Sequence, residues 1–223
     1  MRISAGVACL VAFAGLGLSA CGGNPPPPPP PVVEEAPPQP DADSIAAAEA
    51  ARREAAASKV CDDAMTAVAN GDYERARGLL QQAMRDYPGT ECANKAGRLA
   101  EGVSDAITIR ERVHFEFDKS RITDEAAAVL QAKAEVLRKY PGLSITIEGH
   151  CDERGSLEYN QALGQRRAEA AKRYLANLGL DAGNFRTVSY GEERPVAQGS
   201  NEAAWAQNRR DEFVIPDVNA LLQ

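Results

Sequence analysis

Two residues of opposite charge, Asp152 and Arg167, stand out as candidates for chemistry. Arg167 falls on the inward-facing stripe of a predicted helix, where apolar side chains recur every fourth residue: Leu163, Ala171 and Leu175. A guanidinium in that stripe must either reach solvent or find a partner. Asp152, in the loop before the helix, can pair with it, or the two can hold a zwitterionic ligand between them, Arg167 taking a carboxylate and Asp152 an ammonium. The residues alone favour the internal salt bridge.

A second candidate chemistry is nucleophilic catalysis by Cys151, with His150 or His114 as the base. Neighbouring residues of a strand point to opposite faces, so His150 reaches Cys151 only if the chain turns there. The sequence contains no glycine-flanked nucleophile and no phosphate-binding loop, and a metal site at residues 150–152 would lack further ligands. We therefore predict a binding protein without enzymatic activity, cofactor or metal.

The elements that position these residues form an alternating pattern in the C-terminal half. Apolar and polar residues alternate over predicted strands at residues 112–117, 143–148, 185–191 and 210–215. Predicted helices lie between them, at residues 123–140, 157–178 and 201–208. Half-apolar strands with amphipathic helices between them predict an α/β fold, a mixed sheet with helices on one face in the order β-α-β-α-β-α-β.

The composition excludes a strongly basic protein. The chain has 223 residues, 44% of them hydrophobic and 26% charged, and a formal net charge of −7. With 25 Lys and Arg against 32 Asp and Glu, no overall positive field would attract nucleic acid. A chain of this length and composition can bury a core in one or two domains.

Residues 1–20 have the pattern of a secretory signal peptide. Their apolar stretch, residues 7–18, is shorter than the roughly 20 residues that span a bilayer. The stretch ends in Leu-Ser-Ala-Cys at residues 18–21, which resembles the lipobox of bacterial lipoproteins and implies lipidation of Cys21. Gly22, rather than Asp, follows the cysteine, as in lipoproteins that are forwarded to the outer membrane. The resemblance therefore implies a lipid-anchored protein that faces the periplasm of a Gram-negative bacterium. The alternative is an ordinary signal peptide with Cys21 incidental.

Two segments separate Cys21 from the C-terminal half. Residues 21–40 hold ten prolines, seven of them consecutive, and predict an extended tether that rises about 3.1 Å per residue. Residues 41–104 predict a helical hairpin resembling a single tetratricopeptide repeat, because Tyr73, Ala76, Leu80 and Ala83 recur at the spacing of its second helix.

Three cysteines remain once Cys21 and the signal peptide are set aside, and two of them fall in or beside this hairpin. Cys61 and Cys92 form a candidate disulfide. The alternative is that both are small buried thiols. The sequence does not decide between a disulfide and two free thiols.

Five separated motifs follow one another in the C-terminal half, at residues 115–120, 149–155, 159–168, 189–191 and 208–210. They include an Asp-Glu-Arg-Gly loop, a Ser-Tyr-Gly and an Asn-Arg-Arg. In this set and order, residues 105–217 resemble the OmpA-like peptidoglycan-binding domain. The resemblance implies non-covalent binding of the peptidoglycan stem peptide at meso-diaminopimelate.

Carried over residue by residue, the resemblance places the ligand aspartate on Asp152 and the ligand arginine on Arg167. It implies that Asn160, Asp118 and Arg209 support the pocket. The alternatives are capping and turn hydrogen bonds for Asn160 and Asp118, and pairing with an acidic residue of the sheet for Arg209. With the resemblance, ligand contact outweighs the internal salt bridge. We expect alanine at residue 152 or 167 to abolish binding and leave the domain folded, because both would lie at the mouth of the cleft.

Within this family, the motifs are most similar to a lipoprotein branch that works with the Tol system, including TolB. The sequence departs from the branch at Cys151, where a small residue is usual, and in the longer helical segment. The alternative is a general cell-wall anchor outside the Tol system, whose helical hairpin serves another partner.

Overall fold

The computed structural model describes residues 41–223, which form one compact unit. The predicted signal peptide (1–20), the lipidated Cys21 and the proline-rich tether (21–40) lie outside the described residues. Within residues 41–223, no helix combines the length and the apolar character that crossing a membrane requires.

Three helices precede the sheet: α1 (Ala42–Ala69), α2 (Tyr73–Asp86) and α3 (Glu91–Arg110). The structure therefore adds one helix to the hairpin predicted over residues 41–104, and α3 continues past the predicted boundary. It continues because its buried stripe does: Val103, Ala106 and Ile109 have no exposed surface. The division into domains at residue 104 stays a prediction.

The three helices pack through small residues, as the repeat-like spacing predicts. Ala76, Leu80 and Ala83 of α2 are fully buried. Cys61 of α1 and Cys92 of α3 are joined in a disulfide whose Cα atoms lie 6.0 Å apart. The disulfide connects the first helix to the third across the intervening α2.

A four-stranded mixed sheet forms the centre of the C-terminal half, in the order β1-β4-β2-β3. Its strands are β1 (Val113–His114), β2 (Ile145–His150), β3 (Phe185–Gly191) and β4 (Arg210–Val214). β2 and β3 are parallel, and β4 is antiparallel to both β1 and β2. The predicted mixed sheet is confirmed.

The first strand is shorter than the one predicted over residues 112–117. Beyond β1, one more backbone bond joins the Phe115 N–H to the Arg209 carbonyl at 3.0 Å. The chain then turns at Asp118, whose φ of 55° lies in the left-handed region. Phe117 consequently leaves the sheet and is 52% exposed. The alternating pattern at this end predicted a strand where the structure has a loop.

Three helices separate the strands: α4 (Asp124–Leu137), α5 (Leu157–Asn177) and α6 (Glu202–Asn208). Short 3₁₀ turns lie at Ala182–Asn184 and Val218–Leu221. The apolar faces of α4 and α5 pack on the sheet in one core with Ile145, Ile147 and Phe213. The predicted arrangement of helices on one face of the sheet is confirmed.

Two glycines allow α5 to lie against β2. A Cβ at Gly149 would lie 2.0 Å from the carbonyl oxygen of Gly164, and a Cβ at Gly164 would lie 2.4 Å from the Ser189 hydroxyl. Because no side chain fits between them, the helix reaches the strand closely. This contact sets the depth at which Arg167, one turn later on α5, enters the fold.

Lys133 of α4 joins the helical segment to the sheet domain. Its side chain is fully buried. The ammonium donates to the carbonyls of Thr108, Ile109 and Glu111, at 3.1, 2.7 and 2.5 Å. These carbonyls lie at the end of α3, where a helix leaves acceptors unpaired. A single side chain of α4 therefore caps α3.

Candidate functional site

A cleft of about 200 Å³ lies where β2 ends and α5 begins. Four of the five predicted binding residues line it: Asp118, Asp152, Asn160 and Arg167. A larger groove of about 400 Å³ lies elsewhere, between Tyr140 and Pro216, but Asp217 is the only charged residue among those that line it. The smaller cleft is therefore the candidate site, because it gathers four of the five predicted binding residues.

Arg167 is fully buried at the base of the cleft. Its guanidinium donates to three backbone carbonyls: Nε to Lys119 at 2.9 Å, Nη1 to His150 at 2.7 Å and Nη2 to Glu116 at 3.1 Å. Burial lowers the pKa of Arg167. Within residues 41–223 it forms no salt bridge with Asp152, so the internal pair that the residues alone favoured is wrong.

Arg167 keeps some capacity for a ligand. Nη1 also lies 3.4 Å from the Cys151 sulfur, which brings the number of its N–H groups with acceptors to four. A guanidinium has five N–H groups, so one on Nη2 has no acceptor among the described residues. Because Arg167 lines the cleft, that N–H can meet an anion inside it.

Asp152 carries the negative charge of the cleft and is 4% exposed. Its Oδ2 accepts from Arg154 Nη2 at 2.7 Å and from Arg209 Nη1 at 3.1 Å. Its Oδ1 accepts from the Arg154 backbone N–H and Nε, both at 3.1 Å. Although burial raises the pKa of Asp152, the hydrogen bonds from Arg154 and Arg209 hold it below its usual value. The carboxylate is therefore ionised and already has two cationic partners.

Arg154 is the residue of this cleft that sequence reasoning missed. Its guanidinium carbon lies 3.9 Å from the centre of the Phe117 ring and 4.1 Å from that of Trp205. Two aromatic rings therefore hold the cation over the Asp152 carboxylate. The side chain is 29% exposed, whereas that of Asp152 beneath it is 4% exposed. The Asp-Glu-Arg-Gly motif contained the signal, but only its aspartate was given a role.

Asn160 holds the loop that carries Asp152. Its Nδ2 donates to the carbonyls of Asp152 and Arg154, at 3.2 and 3.3 Å, and to Glu192 Oε2 at 2.5 Å. Asp118, at the mouth of the cleft, accepts a hydrogen bond from the Tyr159 hydroxyl. Asn160 thus makes loop hydrogen bonds of the kind that were the alternative to ligand contact, whereas the bond of Asp118 is to a distant side chain; both residues also line the cleft.

Arg209 does not line the cleft but reaches it from the C-terminal end of α6, directly before β4. It donates to the Phe115 carbonyl at 3.0 Å, to Asp152 at 3.1 Å and to Glu202 Oε1 at 2.6 Å. Its acidic partners therefore come from the cleft loop and α6. The alternative prediction, that Arg209 pairs with an acidic residue of the sheet, is wrong. Arg209 is 6% exposed, so it is the buried partner of Asp152, and Arg154 is the more exposed one.

Cys151 does not have the surroundings of a nucleophile. Burial raises the pKa of its thiol to about 11, so the thiol is neutral at neutral pH. The sulfur donates to the Asn160 carbonyl at 3.3 Å. His150 stacks on Tyr190, with ring centres 5.6 Å apart, and His114 lies 3.2 Å from the Ala206 carbonyl. Neither imidazole hydrogen-bonds the thiol, so the residues for a Cys–His pair are present but not assembled.

The fold and the cleft place the C-terminal half in a known class, since residues 114–209 match the OmpA family. A peptidoglycan-associated lipoprotein of Brucella melitensis biotype 1 is 48% identical over 122 residues, which cover 54% of this chain and 73% of the relative. Another peptidoglycan-associated lipoprotein, from Haemophilus influenzae, is 54% identical over 98 residues, which cover 44% of this chain and 64% of the relative. The chain belongs to the family of the peptidoglycan-associated lipoproteins.

A solved structure provides a further comparison. The crystal structure of the peptidoglycan-associated lipoprotein from Burkholderia pseudomallei shares 48% sequence identity and covers 47% of this chain and 88% of that chain, with a TM-score of 0.45. The family assignment rests on the sequence identity with the Brucella relative.

Proposed function

We propose that this protein binds the stem peptide of peptidoglycan non-covalently at meso-diaminopimelate and so links the outer membrane to the cell wall. The observation that carries the proposal is one cleft lined by a buried carboxylate, Asp152, and a buried guanidinium, Arg167. The names of the relatives support peptidoglycan as the ligand. The function is binding and not turnover, since the one thiol of the cleft is neutral and lacks a base.

Diaminopimelate suits this cleft because one side-chain carbon carries both an ammonium and a carboxylate. The carboxylate takes the remaining N–H of Arg167. The ammonium takes the Asp152 oxygens that Arg154 contacts in this structure, while Arg209 stays as the buried partner. Binding therefore exchanges one cation on Asp152 for another and leaves the carboxylate paired throughout.

The lipid anchor and the partners belong to the same proposal. Lipidated Cys21 holds the protein at the outer membrane on its periplasmic side, because several acyl chains on one residue make a firm anchor. Residues 21–40 give the reach to the wall. The similarity to the Tol-linked branch supports TolB and other Tol proteins as partners. Co-purification of TolB with the protein tests this, and recovery of TolB by neither the full chain nor residues 41–223 would favour the general cell-wall anchor.

The test of the binding site is calorimetric titration of the mature chain with stem peptides that contain diaminopimelate or lysine. Lysine lacks the extra carboxylate and leaves Arg167 without its ligand partner. Losing one partner of a buried charge pair costs about 2–5 kcal/mol, so we expect the lysine peptide to bind roughly 30-fold to several thousand-fold more weakly. Equal affinity for the two peptides would contradict the proposal.

A matched pair of variants locates the site. Asp152→Asn keeps the size of the side chain and removes the charge that holds the ammonium, so binding to isolated sacculi should be lost. Asp86→Asn makes the same chemical change at an exposed residue at the end of α2, and should bind as the wild type does. If Asp152→Asn keeps its native circular dichroism and still binds sacculi, the ligand lies elsewhere.

A further inference from the structure

Three potential metal ligands meet on the face of the sheet opposite the core. Glu148 and His150 lie two residues apart on β2, and therefore on the same face. Glu212 of β4 pairs directly with Glu148 across the strands. One ligand atom from each of the three lies within 4.8 Å of the others. All three belong to paired strands, so the backbone fixes their positions.

His150 is the member of this cluster that lacks a partner. Its ring is buried, with 1% of the residue exposed, and neither ring nitrogen has a hydrogen bond within the described part of the chain. Nε2 points towards Glu148, with 4.0 Å between it and Oε2. A buried polar group without a partner costs free energy. A ligand between His150 and Glu148 would remove that cost.

The carboxylate of Glu212 is held by two arginines through one of its oxygens. Arg112 Nε and Arg210 Nε both donate to Oε1, at 3.1 and 2.7 Å. Oε2 has no hydrogen bond among residues 41–223. Arginines that hold the far oxygen of a carboxylate orient it in the way that outer partners orient metal ligands.

We propose that Glu148, His150 and Glu212 form a binding site for a divalent transition-metal ion such as Zn²⁺. One imidazole and two carboxylates are ligands that Zn²⁺ accepts, and three protein ligands leave a fourth position for water. Two carboxylates directly opposite each other on neighbouring strands repel, and a cation between them relieves that repulsion. The site is separate from the cleft and does not depend on the proposed function.

Three arginines oppose the metal and set the strength of the site. Arg112 and Arg210 contact Glu212, and Arg194 lies 3.5 Å above the Tyr190 ring that stacks on His150. Their positive charge lowers the affinity for any cation. We therefore expect a weak, exchangeable site that fills and empties with the free metal concentration, and not a permanent structural ion.

The site is connected to the cleft through the backbone of His150. The carbonyl of His150 accepts the Nη1 bond of Arg167, and Asp152 follows two residues later. A metal on the imidazole would fix the peptide unit that positions both charged residues of the cleft. If the cleft binds the stem peptide as proposed, metal binding and stem-peptide binding are coupled through this peptide unit, and by linkage to the same extent in both directions.

The test is titration of metal-free mature protein with ZnCl₂ alone, followed by calorimetry and by the NMR signals of the imidazole rings. The chain has only two histidines, so the signals assign the ligand without ambiguity. We expect the His150 ring to shift and His114 to stay unchanged. Glu148→Gln preserves the shape of the side chain and should weaken Zn²⁺ binding by at least about 10–100-fold, whereas His114→Gln should leave it unchanged.

Several results would overturn the site. They are the absence of Zn²⁺ binding at millimolar concentration, a loss of binding in His114→Gln equal to that in Glu148→Gln, and an unchanged His150 signal when Zn²⁺ binds. Glu212→Gln provides a second variant if Glu148→Gln fails to fold. No stem peptide is present in this titration, so its failure leaves the proposed function of the cleft standing, and the converse holds as well.

Discussion

Arg167 serves the fold and the ligand with the same group. Its guanidinium connects two backbone segments, the loop at Glu116 and Lys119 and the end of β2 at His150, and the side chain has no exposed surface. The sequence-based expectation that alanine variants remain folded assumed that Asp152 and Arg167 lie at the mouth of the cleft. Both are buried, so that premise is wrong for both residues.

We expect Arg167→Ala to lower the free energy of unfolding by about 2–5 kcal/mol, because it leaves the buried His150 carbonyl and the partly buried Glu116 and Lys119 carbonyls without donors. Arg167→Lys should lower the free energy of unfolding by less, since an ammonium keeps the charge and can donate to some of the three carbonyls. Urea unfolding of the mature chain measures both. An Arg167→Ala variant as stable as the wild type would show that water replaces the guanidinium freely.

The residue pattern and the family resemblance predicted four of the side chains that line the cleft but not how they pair. Arg167 is recognisable because it interrupts an apolar stripe, and Asp152 because it follows a strand. Arg154 could not be assigned, since the rings that hold it come from Phe117 and Trp205, which are distant in the chain. The Glu148–His150–Glu212 cluster was missed because it depends on the register between β2 and β4.

At the scale of elements, α3 and α4 are held together by one buried cation. Burial lowers the pKa of Lys133 from 10.5 to about 7. Between these values the unfolded chain binds more protons than the folded one, so stability should rise as pH rises through this range. The three carbonyl acceptors stabilise the charged ammonium in the folded protein. They therefore oppose the effect of burial and narrow the pH range over which stability rises.

We expect the free energy of unfolding of the wild type to increase with pH above about 7 relative to Lys133→Met, by at most about 1.4 kcal/mol per pH unit. Lys59→Met removes an exposed lysine and should run parallel to the wild type. Urea unfolding at a series of pH values decides the matter. Parallel curves for the wild type and Lys133→Met would mean that Lys133 stays charged throughout.

The boundaries of a helix or strand were predictable where one of its faces is buried and where capping or turn residues mark its ends. The strand predicted at residues 185–191 and the helix predicted at 157–178 match Phe185–Gly191 and Leu157–Asn177. The separate identity of α3 was missed, because its inward positions are mostly small residues that resemble a linker. β1 ended early because the backbone turns at Asp118, a conformation that alternation of side chains does not encode.

At the scale of the whole molecule, the proposal connects a lipid at Cys21 to a cleft in the C-terminal half. Cys21→Ser removes the attachment point, so we expect the variant in the soluble periplasmic fraction or retained with its signal peptide. Fractionation without detergent checks this. A variant that still sediments with the outer membrane would show that lipid is not the anchor, whereas sacculus binding should be unchanged in either case.

The disulfide between α1 and α3 determines how this molecule would carry mechanical tension. A pull applied at residue 41 and resisted at the cleft passes along α1 to Cys61, crosses to Cys92, and continues through α3 to the sheet. The 30 residues between the two cysteines, α2 among them, carry no load. If the bond were reduced, the same pull could draw out those residues and lengthen the link by about 100 Å, at roughly 3.3–3.6 Å per residue. Oxidation of one cysteine pair would thus limit how far the membrane can move from the wall.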